Sequence, residues 1–341
     1  MRRRATPGER GLVMPFEGAP HKGCWMAWPH DDHPDVWGRR LPQAQACAIS
    51  VAQGIAAFEP VTFVVDPSQA KAARRALPEN IGLLALPQGD LWFRDTGPAF
   101  VTSPEGATEA SHFIFNNWGG KFPHPGAEAR VGKRLADALG LPVYRSDLCA
   151  EGGAILVDGR GTAITTETCL LNPNRNPGWT RAEVEQELFH ALGVRHVVWL
   201  PGDAGEWITD GHIDGLMTFA APGRVIFEVN PDPANPRHRV CQDNLTALRR
   251  AVDADGKPFE IALIDEAYLV EPETDTTCLS YVNCYIANGG VVIPSFDTPT
   301  DTAARDIFAR AFPDRQIAQV DLRGICWNGG GIHCITQQEP A

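Results

Sequence analysis

The residues best suited to covalent chemistry lie near the end of the chain, where the run Gly329-Gly330-Gly331 shortly precedes Cys334. Glycine permits backbone angles with positive φ and lets a ligand come close to the chain. A thiol on such a turn can be reached by a small planar substrate, and its thiolate form is a nucleophile. The β-branched residues around Cys334 predict a short strand, which a sheet could hold although it lies near a terminus.

Three further polar segments could supply groups that act together with this thiol. They are residues 92–95 (WFRD), 151–153 (EGG) and 210–214 (DGHID). His212 and Asp214 alternate along what we expect to be the extended start of a strand, so their side chains would share a face. With Asp95 and Glu151, the set contains one thiol, one histidine, three carboxylates and tryptophans that we expect to be exposed.

Several reactions could use these groups. A serine-protease-like triad needs one carboxylate, to orient the histidine. A zinc site needs three or four ligands, which His212, Asp214 and Asp210 could supply. A guanidinium ion fits in another way, because its planar N–H fork pairs with carboxylates through two parallel hydrogen bonds. A positioned thiolate could then attack its unreactive carbon, while the histidine protonates the departing ammonia and later activates water.

The elements that position these segments recur along the chain. Five stretches with helical apolar spacing are each followed by a β-rich run: 68–77 then 81–86, 127–139 then 143–144, 180–192 then 194–200, 236–252 then 259–264, and 301–312 then 316–322. An additional helix over 41–58 precedes a strand over 61–65. The third helix has the clearest ends, with a capping box at Thr180 and Glu183 and a terminal glycine at Gly193.

Hairpins lie between these units. Their turns are expected near 105–106, 158–159, 222–223 and 288–289, within the ranges 98–115, 154–166, 216–229 and 281–294. A strand pair, a helix and another strand recurring roughly every 60 residues predict one closed repeat architecture. We therefore expect a single α/β domain over residues 1–341, with residues 1–13 flexible and the polar segments meeting at one end of a central axis.

The amino-acid composition limits the kinds of molecule that the protein is expected to bind. The 341 residues are 43% hydrophobic and 21% charged, with a formal net charge of -12, which argues against nucleic acid and fits a small cationic substrate. The basic start at 1–4 is not followed by an apolar stretch, and no long apolar run suggests a membrane span. The nine cysteines contain no CxxC pair and match no zinc spacing, so we expect free thiols in a cytoplasmic protein without metal or cofactor. His33, His112 and His124 are taken as structural.

Six segments carry a family resemblance. They are, in order, 92–98 (WFRDTGP), 115–121 (FNNWGGK), 151–153 (EGG), 165–177 (TTETCLLNPNRNP), 209–214 (TDGHID) and 329–338 (GGGIHCITQQ). The chain resembles agmatine deiminases and, more broadly, the bacterial peptidyl-arginine-deiminase-type group of guanidino-modifying enzymes, from Met14 nearly to its end. The resemblance implies a five-bladed α/β propeller with pseudo-fivefold ββαβ repeats.

The resemblance also implies roles for individual residues. Cys334 would be the nucleophile that forms a covalent amidino intermediate, His212 the general acid and base, and Glu151 the carboxylate that orients the histidine. Asp95 and Asp214 would chelate the guanidinium nitrogens. The remaining predicted substrate-binding residues are Trp92, Trp118, Asp210 and Gly331.

We therefore expect hydrolysis of agmatine to N-carbamoylputrescine and ammonia by a homo-oligomer, with a dimer favoured. Ile208 stands where an acidic residue is common in the family, with Glu206 two residues earlier, so another alkylguanidine or peptidyl-arginine is an alternative substrate. The early Glu-Trp pair of the family is replaced by Glu17-Gly18. An amidinotransferase, a metallohydrolase centred on His212 and a catalytically inactive binding module are functions that compete with the deiminase.

Overall fold

The structure is a computed structural model that describes residues 5–30, 37–122, 126–268, 274 and 276–341. The basic start of the chain at 1–4, His33 and His124 lie outside the described residues. The strands are β1 His21–Ala27, β2 Val61–Val65, β3 Gly82–Ala85, β4 Ala99–Thr102, β5 Thr108–Ile114, β6 Val143–Cys149, β7 Leu156–Val157, β8 Thr162–Thr166, β9 His196–Leu200, β10 Met217–Ala221, β11 Arg224–Val229, β12 Glu260–Asp265, β13 Tyr285–Ala287, β14 Gly290–Ser295, β15 Gln316–Asp321 and β16 Thr336–Pro340.

The helices cover the predicted amphipathic stretches. They are α1 Leu41–Ala56, α2 Ala70–Ala76, α3 Phe93–Thr96, α4 Asn117–Gly120, α5 Glu128–Ala138, α6 Glu167–Leu170, α7 Arg181–Leu192, α8 Pro236–Arg250 and α9 Thr300–Ala311. All five predicted helix–strand units are confirmed, with their ends shifted by up to five positions, and so are the four hairpins. No helix in the described ranges combines the length and the apolar character needed to cross a bilayer.

The described strands form five separate sheets, and none of these closes on itself. Four sheets share one pattern, in which two antiparallel strands are followed by a strand parallel to the second: β4-β5-β6, β7-β8-β9, β10-β11-β12 and β13-β14-β15. A parallel connection needs a crossover, which helices supply here. The predicted ββαβ repeat is therefore present in an α/β fold.

The fifth sheet joins the two ends of the chain. Its order is β16-β1-β2-β3, with β16 antiparallel to β1 and β1 parallel to β2. Met26 pairs with Thr336 and Trp25 with Gln337, so the segment after Cys334 is held in the sheet. Thr336 begins a strand, as expected, but Cys334 itself does not lie in one.

Short turns stand at two places where the sequence predicts strands. Cys334 lies on the 3-10 turn His333–Ile335, because the Thr336 hydroxyl donates to the Ile332 carbonyl at 2.9 Å and tightens the chain just before β16. His212 immediately precedes a second 3-10 turn, Ile213–Gly215, rather than an extended strand start. Both site segments are therefore turns that lead into strands.

Helix α7 shows how local sequence sets an element. The Thr180 hydroxyl accepts the Glu183 N–H, and the Glu183 carboxylate accepts the Thr180 N–H at 2.7 Å, which forms the predicted capping box. Gly193 ends the helix at a φ of 69°, a left-handed conformation that favours glycine. Val184 and Leu188 are fully buried beneath it.

The first residues described are packed against the rest of the molecule. Of the segment 1–13, for which the sequence predicts flexibility, residues 5–13 are described. Leu12 is buried, and Val13 exchanges backbone hydrogen bonds with Thr102 at 3.0 and 2.8 Å. Burial of each large apolar side chain here and in the sheets contributes about 1.5–3 kcal/mol.

Candidate active site

The Cys334 thiol faces a carboxylate and an amide. Its Sγ lies 3.6 Å from Asp214 Oδ2, 3.2 Å from Asn283 Nδ2 and 3.4 Å from Asn283 Oδ1. Burial raises the pKa of Cys334 well above its usual value, and the charges of Asp214 and Asp95 raise it further. The thiol is therefore protonated in the free protein at neutral pH, and a cation placed beside it would favour the thiolate.

All three glycines make room for neighbouring side chains, and a Cβ placed on Gly329 would come within 2.3 Å of Ile208 Cδ1. A Cβ placed on Gly330 would come within 2.0 Å of the Trp92 ring, and one placed on Gly331 within 2.2 Å of Asn283 Oδ1. Asn283 is the residue that contacts the thiol. The glycines therefore permit the close approach expected from the sequence, although the groups that approach Gly330 and Gly331 belong to the protein.

His212 lies among all three predicted carboxylates. Its Nε2 is 3.4 Å from Glu151 Oε2, and its Nδ1 is 3.9 Å from Asp95 Oδ1 and 4.0 Å from Asp214 Oδ1. Burial opposes the charged imidazolium, but Asp95 and Glu151 outweigh it, and the pKa of His212 is raised well above its usual value. The ring is therefore positioned to carry a proton at neutral pH.

The pKa values of the two aspartates differ in direction. Burial and the charges of Asp214 and Glu151 raise the pKa of Asp95, whose oxygens accept the Gly153 N–H at 2.9 Å and an indole N–H. Burial alone would raise the pKa of Asp214 as well, but a 2.8 Å hydrogen bond from His333 outweighs it and lowers that pKa.

Gly153 lies where these groups converge. A Cβ at this position would be 2.7 Å from His212 Nδ1, 2.8 Å from Asp214 Oδ2 and 2.9 Å from Asp95 Oδ1. Any side chain here would collide with all three groups. The glycine after Glu151-Gly152 is thus needed for the spacing of the acid cluster, a role that the sequence analysis did not assign to it.

Glu151 is fixed by an arginine beneath the histidine. Arg175 Nε donates to Glu151 Oε1 at 2.7 Å, and both side chains are fully buried. Burial would raise the pKa of Glu151, but His212 and Arg175 outweigh it and the pKa is lowered. Glu151 is therefore an ionised group that can orient the imidazole through the contact between Nε2 and Oε2.

One group of metal-ligating side chains occurs in the described ranges. The ligand atoms of Glu151, Cys169 and His212 lie within 4.8 Å of one another. A divalent cation there would face the guanidinium of Arg175, which is bonded to the same carboxylate. The positive charge of Arg175 disfavours a metal ion at Glu151, Cys169 and His212, whereas a proton on His212 is stabilised by the Glu151 carboxylate. The zinc ligand set that the sequence suggested, with Asp210, is not brought together.

Asp210 belongs to a separate ion-pair network. Its Oδ2 lies 2.7 Å from Lys121 Nζ, accepts Asn174 Nδ2–H at 2.9 Å and lies 2.5 Å from Arg175 Nη1. Burial would raise the pKa of Asp210, but these donors lower it. Through Arg175 the network is coupled to Glu151, whereas Asp210 is not part of the lining of the cavity at the thiol.

The two tryptophans differ in exposure. Trp92 is only 8% exposed and stacks on Trp37 at a centroid distance of 6.2 Å, so its expected exposure is wrong. Trp118 is partly exposed and donates its indole N–H to Asp95 Oδ2 at 2.8 Å. Trp118 has a φ of 50°, a strained conformation that brings its ring to the aspartate.

A cavity of about 300 Å³ opens onto the thiol. Cys334, His212, Asp214 and Asn283 line it, whereas Trp92, Asp95 and Glu151 are not in its lining. Asp95 nevertheless reaches the same point as Asp214, because both come within 3 Å of the Cβ position of Gly153. The predicted nucleophile, histidine and carboxylates therefore meet at one place.

Comparison with known proteins identifies the family of this chain. Residues 13–340 match the family described as Porphyromonas-type peptidyl-arginine deiminase. The chain belongs to this family. The match covers every residue of the cluster around Gly153, so the whole site lies within the deiminase family's sequence.

Relatives of this deiminase carry narrower names. A protein of Ectopseudomonas mendocina named agmatine deiminase is 39% identical over 361 residues, covering 98% of this chain and 97% of the relative. A Streptomyces coelicolor protein, provisionally given the same name, is 42% identical over 336 residues, covering 96% and 98%. The solved agmatine deiminase of Enterococcus faecalis superposes with a TM-score of 0.94 at 32% identity, covering 99% and 98%.

The site of this deiminase contains residues that the sequence analysis missed. Asn283 contacts the thiol, and His333 lies between Asp214 and Glu17, with its Nε2 2.9 Å from Glu17 Oε1. Arg94 pairs with Glu17 at 3.2 Å rather than with the adjacent aspartate. His333 was adjacent to the predicted nucleophile and so carried a local signal, whereas Asn283 and Glu17 are linked to the site only through the fold.

Proposed function

We propose that this chain is an agmatine deiminase, which hydrolyses the guanidino group of agmatine to give N-carbamoylputrescine and ammonia. The observation that supports it most directly is that Cys334, His212 and Asp214 line one cavity, with Asp95 3.9 Å from His212 beside it. The names of relatives that align over nearly the whole chain support the same substrate. Agmatine is thus favoured over peptidyl-arginine.

Binding would be governed by charge. Asp95 and Asp214 would pair with the planar guanidinium through parallel hydrogen bonds. Burial and the charges of Asp214 and Asp95 hold the Cys334 thiol protonated. A bound cation offsets those charges, so the thiol can lose its proton to solvent when substrate arrives. Trp92 and Trp118 would shape the binding slot, the first by packing against Gly330 and the second by holding Asp95.

The reaction would proceed in two stages. Cys334 Sγ forms a bond to the guanidinium carbon, and His212 transfers its proton to the departing nitrogen, so that the C–N bond breaks and ammonia leaves. His212, now neutral, takes a proton from water as that water attacks the amidino carbon. The C–S bond then breaks as the added hydroxyl passes its proton to the departing sulfur, which restores the Cys334 thiol, and N-carbamoylputrescine leaves. Glu151 would orient the imidazole throughout.

Several wider features belong to the same proposal. The five sheets, and the position of the site residues on the turns that lead into them, support a five-bladed propeller whose blades surround one axis. We propose that this propeller is a single domain over residues 1–341. All nine cysteines are free, which suits a cytoplasmic enzyme. A homodimer is the assembly that we propose for it.

The test compares two cysteines of the same cavity. Wild-type protein should release ammonia from agmatine, with or without EDTA, and Cys334→Ala should abolish turnover. Cys278→Ala is the matched control, because Cys278 lines the same cavity and burial raises its pKa to about 12. Normal turnover by Cys334→Ala would refute the mechanism. Loss with EDTA would favour a metallohydrolase, and amidino transfer to an added amine would favour an amidinotransferase.

A further inference from the structure

The cavity at Cys334 extends to a second group of ionisable side chains. Beyond the thiol, its lining includes four carboxylates and one guanidinium, namely Asp203, Glu206, Glu228, Glu266 and Arg237. When these groups are ionised, this end of the cavity is net negative. Such a cavity attracts a second positive charge on a substrate whose guanidinium lies at the thiol.

Three of the four carboxylates are already engaged. Glu206 accepts three backbone N–H groups of its own loop, at 2.7, 2.9 and 3.2 Å. Glu266 accepts the Arg237 Nε–H at 2.6 Å, and Asp203 accepts the Gly205 N–H at 2.9 Å. None of these three is the best candidate to bind a ligand, because a ligand would have to compete with contacts that the protein already makes.

Glu228 differs from them. Its Oε2 accepts the Tyr281 N–H at 2.7 Å, but its Oε1 has no hydrogen-bond partner among the described residues. Arg237 Nη2 is 4.0 Å from that oxygen, too far for a hydrogen bond. Glu228 is 1% exposed, and the neighbouring Ser280 Oγ, also buried, has no hydrogen-bond partner in the described ranges. The Arg237 guanidinium makes an ion pair but no hydrogen bond with this oxygen. A buried carboxylate oxygen without a hydrogen bond is costly, so a donor placed there would be strongly stabilised.

Two short backbone links place Glu228 near the thiol. Its N–H donates to the Leu216 carbonyl at 2.8 Å, and Leu216 follows Asp214 by two residues. Tyr281, which donates to its carboxylate, precedes Asn283 by two residues, and both Asp214 and Asn283 contact the Cys334 thiol. Two residues of chain span at most about 7 Å, which is the scale of a short alkyl chain.

We propose that Glu228 determines specificity for the far end of the substrate, with its Oε1 accepting a hydrogen bond from a primary ammonium carried on a short alkyl chain. The inference deepens the function proposed above and rests on it. Ser280 Oγ would supply a second acceptor. Arg237 would not attract a carboxylate tail, because its Nε and Nη2 already donate to Glu266 and the Gly215 carbonyl.

The ionisation of Glu228 gives the contact a pH dependence. Burial raises the pKa of Glu228 to about 8, opposed by Arg237 and assisted by Glu266. Ser280, the Tyr281 N–H, Cys278 and Cys241 also face this carboxylate. An alkylammonium, which stays charged up to about pH 10, favours the ionised carboxylate, so the contact strengthens as pH rises through 8.

The experiment compares kcat/KM for agmatine and for n-butylguanidine, which lacks the ammonium. In Glu228→Gln the agmatine-to-butylguanidine ratio should fall about 10- to 100-fold, the range expected for losing a hydrogen bond to a charged group, with butylguanidine turnover retained. Asp203→Asn is the matched control, because it removes a charge from the same cavity and should change the ratio less than about threefold. An unchanged ratio in Glu228→Gln, or an equal fall in both variants, would overturn the proposal.

A second measurement needs no variant and decides the matter if Glu228→Gln fails to fold. In the wild-type protein the ratio of kcat/KM for agmatine to that for n-butylguanidine should rise roughly tenfold between pH 6.5 and 9, as Glu228 ionises. Titration of the groups that act on the guanidinium changes both kcat/KM values equally and therefore does not change the ratio. If the enzyme is active on both compounds but the ratio does not change with pH, the proposed role of Glu228 is wrong and the deiminase function still stands. Failure to release ammonia from either compound would refute the deiminase function, and the inference with it.

Discussion

A buried network of charged side chains links Glu17 to the active site. Removing the charge of Glu17 should change the free energy of unfolding by an amount that can be worked out from its pKa. Glu17 accepts hydrogen bonds from His333 Nε2 at 2.9 Å and from Arg94 at 3.2 Å, and His333 Nδ1 is 2.8 Å from Asp214. All four side chains are buried. Substituting Glu17→Gln keeps the size of the side chain but removes the carboxylate that pairs with Arg94, and leaves His333 paired with Asp214.

The magnitude follows from the pKa of Glu17. Burial alone would raise it, but His333 and Arg94 outweigh burial and lower the pKa from 4.5 to about 2. At about 1.4 kcal/mol for each pKa unit, the ionised group stabilises the fold by about 3 kcal/mol. Loss of one member of a buried ion pair independently costs about 3–5 kcal/mol. Because the folded pKa lies below the unfolded value, this stability is complete above about pH 4.5 and is lost as pH falls toward 2.

Urea unfolding at pH 7 and at pH 3 tests the prediction. At pH 7 Glu17→Gln should lower the free energy of unfolding by about 3 kcal/mol, and at pH 3 the difference from wild type should fall to less than half of that. Glu167→Gln is the control, because its ion pair with Arg181 is exposed and contributes at most about 1 kcal/mol. The reasoning fails if the two variants are equally stable at pH 7, or if the Glu17→Gln difference does not depend on pH.

Two further predictions concern the reacting groups themselves. Gly153→Ala should lower kcat for agmatine by at least about 100-fold, because the added Cβ would lie 2.7 Å from His212 Nδ1 and 2.8 Å from Asp214 Oδ2 and would displace both groups. Initial rates within about threefold of wild type would show that these groups can shift without loss of activity. At pH 7.5, the cationic reagent 2-chloroacetamidine should inactivate the protein at least about tenfold faster than neutral iodoacetamide, since burial raises the pKa of Cys334 and a bound cation offsets it. Asp214→Asn should reduce that preference, and equal inactivation rates for the two reagents in wild type would refute substrate-assisted ionisation.

Much of the fold was predictable because its signals are local. The capping box at Thr180 and Glu183 and the glycine at Gly193 set the ends of α7, as the sequence indicated. The conformations at Cys334 and His212 were not predictable in this way. Side-chain hydrogen bonds and turn geometry override the β-propensity of the neighbouring residues, and both segments form 3-10 turns.

The partners of the site residues were harder to predict than the residues themselves. Cys334, His212 and Asp214 have types suited to chemistry and lie beside glycines, so a single sequence singles them out. Asn283 and Glu17 have no such signal, because an amide or a carboxylate at a strand or loop is ordinarily a surface residue. Only the tertiary fold brings them to the thiol and to His333.

The carboxylates of the site are distinguished by what neutralises each of them. Asp214 has the imidazole of His333 at 2.8 Å, and Glu151 has the guanidinium of Arg175 at 2.7 Å, and in both cases the pKa is lowered. Among the described residues, Asp95 is hydrogen-bonded only by a backbone N–H and an indole, which are neutral. The charge of His212, 3.9 Å away, lowers the pKa of Asp95, but burial and the charges of Asp214 and Glu151 outweigh it and the pKa is raised. Its charge is therefore the least compensated by the protein. A guanidinium bound beside Asp95 supplies the missing positive charge, so this aspartate couples substrate binding to the ionisation of the site most directly.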